Sequence, residues 1–592
     1  MRHSFLVKLA FAICLLATQS IGDVQFKVQS PEASLKGALM ANSQLASAEQ
    51  VAAIPAQDLI ATARAEYSRL LAALYERCYF GAVISIRLDG VEAASISPFA
   101  KVRSVKNVDI RIESGEPFKL GRAVIAPLAS GTAPVEGFST GQVATTPLLR
   151  RAVAQGIEDW RAQGFAKAEV AGQTVTSNNR QAVLNADIRL APGQVARFGE
   201  LNPTGLERIR PERVRAIAGL PKDERFHPHT TERVAERLRD TGAFSSVSLR
   251  EGVLSTDGVL DVDAEFVEAP LRRFGFGAEL ASTEGLTLSG FWLHRNVFGG
   301  AERLRFDAEI SGIGGDSGGA DYVTGVQFSR PATFTADTTL GLGLQLESLD
   351  EPSFQQDSID VTATLTHRFS KQVTGSVGVE IDRSKITDSL STRRVTLISF
   401  PTEITWDTRD VALDARKGWY LSAGVQPFVI ASSSGGARAT LDARSYVSLG
   451  ASGKTRLAGR LQFGTIEGGD VTSLPPDWLF FSGGSSTVRG LSYQSLGATQ
   501  AGVQTGGRSF AGVSLEVRRD ITDKWGAAVF TDAGYVATDS FLAGAGDWHA
   551  GIGIGARYKT PIGAIRVDVA TPIRRAGSGG NVALYIGIGQ SF

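Results

Sequence analysis

The last ten residues of the chain, ALYIGIGQSF, constrain its fold more than any other segment. The residues of one parity are apolar: Leu584, Ile586, Ile588 and Phe592. Because side chains of a strand alternate between its two faces, this segment is a strand with one apolar face and a terminal aromatic residue. A chain that ends on such a strand, after a long series of similar strands, is typical of a transmembrane β-barrel.

The length, charge and hydropathy of the chain exclude several classes of protein. The chain has 592 residues, which is too many for one compact core. It carries 61 basic and 61 acidic side chains, and this balance argues against nucleic acid as a partner. No run of 18 apolar residues follows the N-terminal segment, so the sequence predicts no transmembrane helix.

The N-terminal residues 1–22 have the pattern of a secretory signal peptide. A basic start is followed by the apolar stretch Leu9–Ala17 and then by small residues, so cleavage is expected before Asp23. Cleavage there leaves Cys78 as the single cysteine of the mature chain. One thiol cannot form an internal disulfide, so stability must come from packing.

Residues 23–269 contain an internal repeat. The segment Asp109–Ile112, DIRI, recurs as Asp187–Leu190 and more loosely as Asp263–Phe266, at spacings of 78 and 76 residues. Upstream of each copy, a helical pattern ends on a turn residue and a phenylalanine. We expect three α+β domains, at 23–115, 116–192 and 193–269. They serve either as spacers or as sheet edges that bind extended chains, and the pattern leaves both open.

From residue 270 to 592 the pattern consists of strands alone. Leu340, Leu342, Leu344 and Leu346, for example, alternate with small and polar residues. A soluble β-sandwich also alternates, but here the second face repeatedly carries Arg, Asp and Glu, which suits a wet lumen inside a membrane barrel. At roughly 20 residues per strand and connection, this region accommodates about 16 strands.

One segment, between Gly464 and Ser509, breaks the alternation. It contains Pro475-Pro476, two adjacent glycines and the sequence STVRGLSY. A loop of this length in a barrel is usually functional or disordered. A tight turn beside the glycine at 490 could direct the Arg489 side chain into the lumen.

These residues carry a family resemblance. Residues 483–497, GGSSTVRGLSYQSLG, resemble the signature loop of the outer-membrane assembly superfamily that includes BamA, TamA and FhaC. In that family the loop folds into the barrel, and its arginine meets the acidic residue of an F-x-D-x-G strand motif. Residues 530–534, FTDAG, match that motif. The resemblance therefore implies a loop lock formed by Val488, Arg489, Gly490, Phe530, Asp532 and Gly534. Leu491 departs from the pattern, because the family usually has an aromatic residue there.

Other segments agree with this resemblance. Residues 405–427 resemble a strand-turn-strand of the family, 551–573 its penultimate strands, and the final IGQSF its C-terminal insertion signal. The three repeats resemble POTRA domains. BamA-like chains usually have five of these, and two-partner transporters have two and a plug helix. Three repeats without a plug helix indicate a TamA-like outer-membrane assembly factor. The resemblance implies that it is a component of a translocation and assembly module and that it acts in autotransporter biogenesis.

The resemblance implies a protein of the Gram-negative outer membrane with its repeats in the periplasm. We expect the barrel to insert client proteins through a lateral seam between its first strand, Arg273–Leu280, and its last, Val582–Phe592. Glycine weakens a strand, although small residues would equally suit a crowded lumen. The seam residues are Gly275, Gly277, Gly587, Gly589 and Phe592. Expected partners are a TamB-like protein anchored in the inner membrane, unfolded outer-membrane clients and outer-membrane lipid.

Two other functions stay open, a two-partner-type secretion pore and a BamA-like general insertase. A passive porin fits worst, because it needs no periplasmic repeats. Catalytic activity is not expected, since no acid, base and nucleophile converge in the sequence. The histidines are scattered, so we expect neither a metal nor another cofactor.

Overall fold

The computed structural model describes residues 23–590 except 53, 98–99, 101–103, 134, 316–317, 390, 432, 451, 470, 501–502, 561–562, 575–581 and 589. The predicted signal peptide and Phe592 therefore lie outside the described residues. Within these ranges, no helix combines the length and the apolar character needed to cross a membrane.

Three small α/β repeats precede the barrel. The first contains β1 (Asp23–Gln29), α1 (Leu35–Asn42), α2 (Ala48–Ala52), α3 (Ala56–Glu76), β2 (Val83–Leu88), β3 (Val91–Glu92) and β4 (Asn107–Glu113). The second contains β5 (Lys119–Ala126), α4 (Thr146–Ala162), β6 (Glu169–Asn178) and β7 (Val183–Ala191). The third contains β8 (Arg197–Thr204), α5 (Pro211–Ala218), α6 (Pro228–Asp240), β9 (Phe244–Leu254) and β10 (Val259–Glu268).

The three sheets share one topology. Their strand orders are β1-β4-β2-β3, β5-β7-β6 and β8-β10-β9, so the last strand of each repeat lies between the first strand and the middle strand. The three copies of the sequence repeat lie in these central strands, β4, β7 and β10. Their apolar parity is buried, for example at Ile110, Ile188 and Ala264. The alternation seen in the sequence is therefore the core face of each sheet.

A recurring main-chain joint links each repeat to the domain that follows it. The turn after each helix is left-handed, with φ of +68° at Cys78, +89° at Gly164 and +65° at Gly242. A carbonyl at each turn accepts a hydrogen bond from the chain that enters the next domain: Phe118 N–H to Cys78, Ala196 N–H to Gly164 and Ala269 N–H to Ala243, each at 2.8 Å. Glycine adopts this backbone without steric cost, and Cys78 adopts it although it has a side chain.

In the described part of the chain, seventeen strand segments close into a barrel. With the short hairpin β23–β24, which lies outside the barrel sheet, the strands in chain order are β11 (Arg272–Ala281), β12 (Gly285–His294), β13 (Arg303–Ile313), β14 (Asp321–Arg330), β15 (Thr338–Glu351), β16 (Phe354–Arg368), β17 (Val373–Asp388), β18 (Thr392–Ser399), β19 (Thr402–Asp407), β20 (Gly418–Ile430), β21 (Gly435–Leu449), β22 (Thr455–Gly468), β23 (Ala498–Gln500), β24 (Val503–Thr505), β25 (Ser509–Asp520), β26 (Trp525–Ala537), β27 (Gly546–Thr560), β28 (Gly563–Arg574) and β29 (Ala583–Ile588).

Two of these segments share one position in the barrel. Both β18 and β19 pair with β17 on one side and with β20 on the other. The break between them falls at Phe400 and Pro401, where proline cannot donate to the ladder. The described residues thus form a barrel of 16 antiparallel strand positions, which confirms the number predicted from length.

Alternation along the strands separates the two faces of the barrel wall. On β15, Leu342, Leu344 and Leu346 point outward and are each more than 40% exposed. Gln345, on the other parity of β15, lines a polar cavity together with Asp307, Asp360 and Glu380. A belt of exposed apolar side chains suits contact with lipid, and a soluble sandwich would bury it.

Candidate functional site

A long segment, residues 469–508, connects β22 to β25, and we call it the inserted loop. Strand β22 continues to Gly468, a few residues beyond the point where the sequence alternation becomes irregular. The loop contains a short 3₁₀ turn at Pro476–Trp478 and the hairpin formed by β23 and β24. Its contacts with several strands of the wall place it inside the barrel.

An apolar cluster anchors the first half of the inserted loop. Trp478 meets Phe428 of β20 edge-on, with ring centroids 5.4 Å apart, and Phe480 stacks near Phe510 of β25. The loop contributes Val471, Leu474, Trp478, Leu479, Phe480 and Leu496, and the wall contributes Ile386, Val395, Leu397, Phe428, Ile430, Ile466, Phe510 and Val536. Each large side chain buried here contributes about 1.5–3 kcal/mol, so the loop is held by packing as well as by charge.

The second half of the loop places Arg489 against Asp532 of β26. The Arg489 Nε donates to one carboxylate oxygen at 2.7 Å, and Nη2 donates to the other at 3.0 Å. The backbone N–H of Arg489 also reaches Asp532, at 3.2 Å. The guanidinium lies 3.4 Å from the centroid of the Phe530 ring. This two-point pairing and the ring contact orient the planar cation in a way that a lysine could not reproduce.

Four further charged residues surround this pair, and the sequence motif does not include them. Arg489 Nη1 lies 3.3 Å from Glu516 and 3.4 Å from Asp568. Arg557 Nη2 donates to Glu516 at 2.9 Å, and its Nη1 is ion-paired with Asp568. Arg518 Nε donates to Glu516 at 3.0 Å. The buried network therefore balances three guanidinium groups against three carboxylates.

Charge balance explains how the network tolerates burial. Arg489, Asp532 and Glu516 are each about 2% exposed, so water screens them little. Arginine stays protonated in proteins, and the carboxylates of Asp532, Glu516 and Asp568 balance the charge of the Arg489 guanidinium. Such a network adds little net stability, since desolvation offsets attraction, but it defines geometry because a lost partner leaves a bare buried charge.

Glycines in the neighbouring strands leave room for the loop. A Cβ added at Gly551 would lie 2.0 Å from the Arg489 carbonyl oxygen. One added at Gly534 would lie 2.3 Å from Ser482 Oγ and 3.0 Å from Val488. Gly490 has a φ of +93° and its Cα approaches the main chain at Thr571. The glycine of the F-x-D-x-G motif is therefore required by close contact with the loop.

The predicted loop-lock residues thus lie together. Val488 is fully buried and packs at the position that Gly534 leaves open. Gly490 N–H donates to Tyr585 Oη of β29 at 3.0 Å. Leu491, at the position where the family usually has an aromatic residue, is also buried.

The seam between the first and last strands is short. In the described residues, β11 and β29 are paired at two positions, Leu280 with Ile586 and Ala281 with Tyr585. By comparison, β11 pairs with β12 at ten positions, and β28 pairs with β29 at six. Fewer ladder positions mean fewer main-chain hydrogen bonds to break, so this is the weakest junction among those that the described strands form with β11 and β29.

The seam glycines face the lumen. A Cβ at Gly275 would run into the Phe291 ring, and one at Gly277 would lie 2.7 Å from Ser289 Oγ. A Cβ at Gly587 would lie 3.3 Å from both Arg566 and Glu279, whose side chains form an ion pair at 2.5 Å. This pair runs from β28 to β11 and passes over β29 at Gly587. The predicted seam residues Gly589 and Phe592 lie outside the described residues.

The third repeat is fastened to turns of the barrel. The barrel and residues 200–221 and 231–252 form one compact unit. Within it, Arg237 of α6 makes two hydrogen bonds of 2.6 Å to Asp337 in the turn before β15. Arg368, the last residue of β16, and Lys371, in the turn after it, pair with Glu236 of α6 at 3.6 and 2.5 Å. The ion pairs, together with the joint at Ala243, hold this repeat against the barrel.

No metal centre emerges in the described ranges, where no group of three or more His, Cys, Asp or Glu is arranged to hold an ion. The strongly interacting charged groups of the loop lock are paired with one another.

Comparisons with known proteins agree with this architecture. The model of the Omp85 superfamily domain matches residues 296–592. Among solved structures, BamA from Haemophilus ducreyi lacking POTRA domains 1–3 is similar with a TM-score of 0.62 at 15% identity, covering 80% of this chain and 100% of that one. CdiB from Acinetobacter baumannii is similar with a TM-score of 0.51 at 12% identity, covering 80% and 90%. At these identities the likeness concerns the fold. The family match spans half of the chain, and the protein therefore belongs to the Omp85 superfamily and is a β-barrel of the outer membrane.

Proposed function

We propose that this protein is a TamA-like, non-enzymatic assembly factor that inserts outer-membrane proteins through its lateral seam. One observation carries the proposal: the described parts of β11 and β29 are paired at only two positions. Opening this junction exposes an edge of β11 to the bilayer. An unfolded barrel protein in lipid has unpaired amides that each cost several kcal/mol, and such an edge can pair them during insertion.

The repeats supply the route to that edge. Each repeat sheet leaves its outer strands available for strand addition, for example β6 in the second repeat, which is exposed along Thr174–Asn178. The proposed partners are unfolded client proteins, outer-membrane lipid and a TamB-like protein anchored in the inner membrane. We place the repeats in the periplasm, where clients arrive. Superfamily membership supports a role in insertion or secretion at the outer membrane, and the three repeats support the TamA-like form.

A reversible disulfide across the seam tests this function. Leu280 and Ile586 are paired directly, so Leu280→Cys with Ile586→Cys, in a Cys78→Gly background, should form a bond that closes the junction. We expect oxidation to abolish insertion of a client barrel into proteoliposomes and a reductant to restore it.

In the matched control, the cysteine partner of Ile586→Cys lies on β28, on the other side of β29, instead of on β11. Val567 pairs with the same Ile586 within the β28–β29 ladder, so Val567→Cys with Ile586→Cys forms a bond that leaves the seam free. Insertion should survive oxidation in this variant. Full insertion by the oxidised Leu280–Ile586 variant would exclude a lateral route.

A further inference from the structure

The tip of the inserted loop contacts both sides of the seam. On the first-strand side, Glu284 lies in the turn between β11 and β12, and it accepts hydrogen bonds from Ser485 N–H at 2.5 Å and from Ser485 Oγ at 2.9 Å. On the last-strand side, Tyr585 Oη of β29 accepts from Gly490 N–H at 3.0 Å. These two loop residues are five positions apart, so a short stretch of chain spans the junction.

Close main-chain packing makes this stretch a stiff connection. A Cβ at Gly484 would lie 2.8 Å from Glu284 Oε1, and one at Gly490 would lie 2.9 Å from the main chain of Thr571 in β28. Between these ends, Arg489 is held by the charge network, and Tyr585 is fully buried. The connection therefore has little freedom to stretch if the two strands move apart.

The direct contacts across the seam are few by comparison. Besides the two ladder positions, Ser282 N–H donates to the Leu584 carbonyl at 2.8 Å, and Leu584 N–H donates to Ser282 Oγ at 2.9 Å. The ion pair of Arg566 with Glu279 adds one side-chain link. Among the described residues, the loop contacts are thus a large share of the hydrogen bonds and ion pairs that join the two edges, and one of them ends on a carboxylate, where hydrogen bonds are strongest.

We propose that the inserted loop is a bridge that holds the seam closed, with Glu284 and Tyr585 as its positioning residues. The seam then opens only when the loop releases Glu284 or Tyr585, so loop displacement and seam opening are one coupled event. The inference rests on the proposed function only for the statement that the open seam admits clients. The coupling of the loop to the seam is argued from contacts within the closed barrel.

Hydrogen exchange, read on the strand opposite to the altered residue, tests the bridge. In Glu284→Ala the loop loses its hold on the first-strand side, and we expect the amides of Leu584 and Ile586 to exchange about tenfold faster, as expected for losing a hydrogen bond to a charged group. In Tyr585→Phe we expect faster exchange at Leu280 and Ser282, whose N–H groups face β29. The full chain in lipid nanodiscs is used throughout, measured by mass spectrometry.

Two controls separate coupling from general loosening. Glu284→Gln keeps an acceptor for Ser485 and should restore most of the protection. The amides of α5 in the third repeat, whose hydrogen bonds involve neither residue nor the inserted loop, should not change in any variant. Faster exchange confined to the altered residue's own strand, or none at all, would overturn the bridge. Hydrogen exchange is measured without a client protein. If the wild-type protein does not insert clients, the proposed function is wrong, but the exchange result still tests the bridge.

Discussion

Arg489 is the residue on which the inserted loop depends most. Its guanidinium touches Asp532, Glu516 and Asp568 and faces the Phe530 ring. Removal of this cation would leave three carboxylates with only Arg518 and Arg557 to balance them. A buried carboxylate without its partner is strongly unfavourable, so the wall and the loop must rearrange or admit water.

We expect Arg489→Ala to loosen the inserted loop while the barrel remains folded. The lost pairing should cost about 3–5 kcal/mol, a typical penalty for removing one partner of a buried pair. The measurement is the rate at which an added protease cuts residues 469–508, with heat-modifiable gel migration as the check on barrel folding.

Arg444→Ala is the matched control for this change. Arg444 is also a lumen arginine, and it pairs with Asp442 at 2.7 Å without a contact to Arg489. Its removal should leave loop cleavage unchanged. If the Arg489 and Arg444 variants are cut at the same rate as wild type, the charge network does not hold the loop.

At the scale of an element, the end of β10 organises the segment that leads into α5. The Glu268 carboxylate accepts hydrogen bonds from the backbone N–H groups of Glu207, Arg208 and Ile209 at 2.8–3.0 Å. It also accepts from Arg208 Nε at 3.0 Å. Burial alone would raise the pKa of Glu268, but these donors outweigh it and hold the pKa below its usual 4.5.

The sign of the resulting pH dependence follows from that lowered pKa. The unfolded chain binds a proton on Glu268 more readily than the folded chain does, so the stabilisation is complete above about pH 4.5 and is lost as pH falls through the lower folded value. We expect amide protection at 207–209, corrected for intrinsic exchange, to decrease in this acidic range. Glu268→Gln cannot titrate and should show no such decrease; an identical decrease in both proteins would rule out this carboxylate.

The seam and the inserted loop also show which contacts between elements the sequence could predict. The V-R-G and F-x-D-x-G motifs predicted that Arg489 and Asp532 face each other, and they do. In the sequence of β25, polar and small residues alternate with apolar ones, and Glu516 and Arg518 lie on the polar face. It could not indicate that they join Arg489, because strand register and the path of a forty-residue loop decide which polar residues become neighbours. Asp568 and Tyr585 escaped prediction for the same reason.

At the scale of the whole molecule, one kind of main-chain contact recurs where one domain ends and the next begins. The same main-chain hydrogen bond occurs at all three domain boundaries. Ion pairs of α6 with Asp337, Arg368 and Lys371 add to the last of these joints. The part of the third repeat that forms one compact unit with the barrel, residues 200–221 and 231–252, is therefore held against the barrel turns.

The identity of the partner distinguishes the proposed function from its alternatives. We expect affinity capture with the full-length protein from an envelope extract to recover a large, β-rich protein anchored in the inner membrane. An unrelated outer-membrane barrel serves as the control bait. Recovery of lipoproteins of a general assembly complex would favour a BamA-like insertase, and recovery of a secreted exoprotein would favour a secretion pore.

The sequence by itself determined the fold class, the number of repeats and strands, and the two motifs of the loop lock, because period-two alternation and local repeats are properties of neighbours along the chain. Only the tertiary structure decided how short the seam is, which charges meet in the network, and that Ser485 and Gly490 reach opposite edges of the junction. Some of those contacts join residues that are 302 positions apart, as Ser282 and Leu584 are. Their proximity depends on register and closure of the whole barrel, which no local pattern encodes.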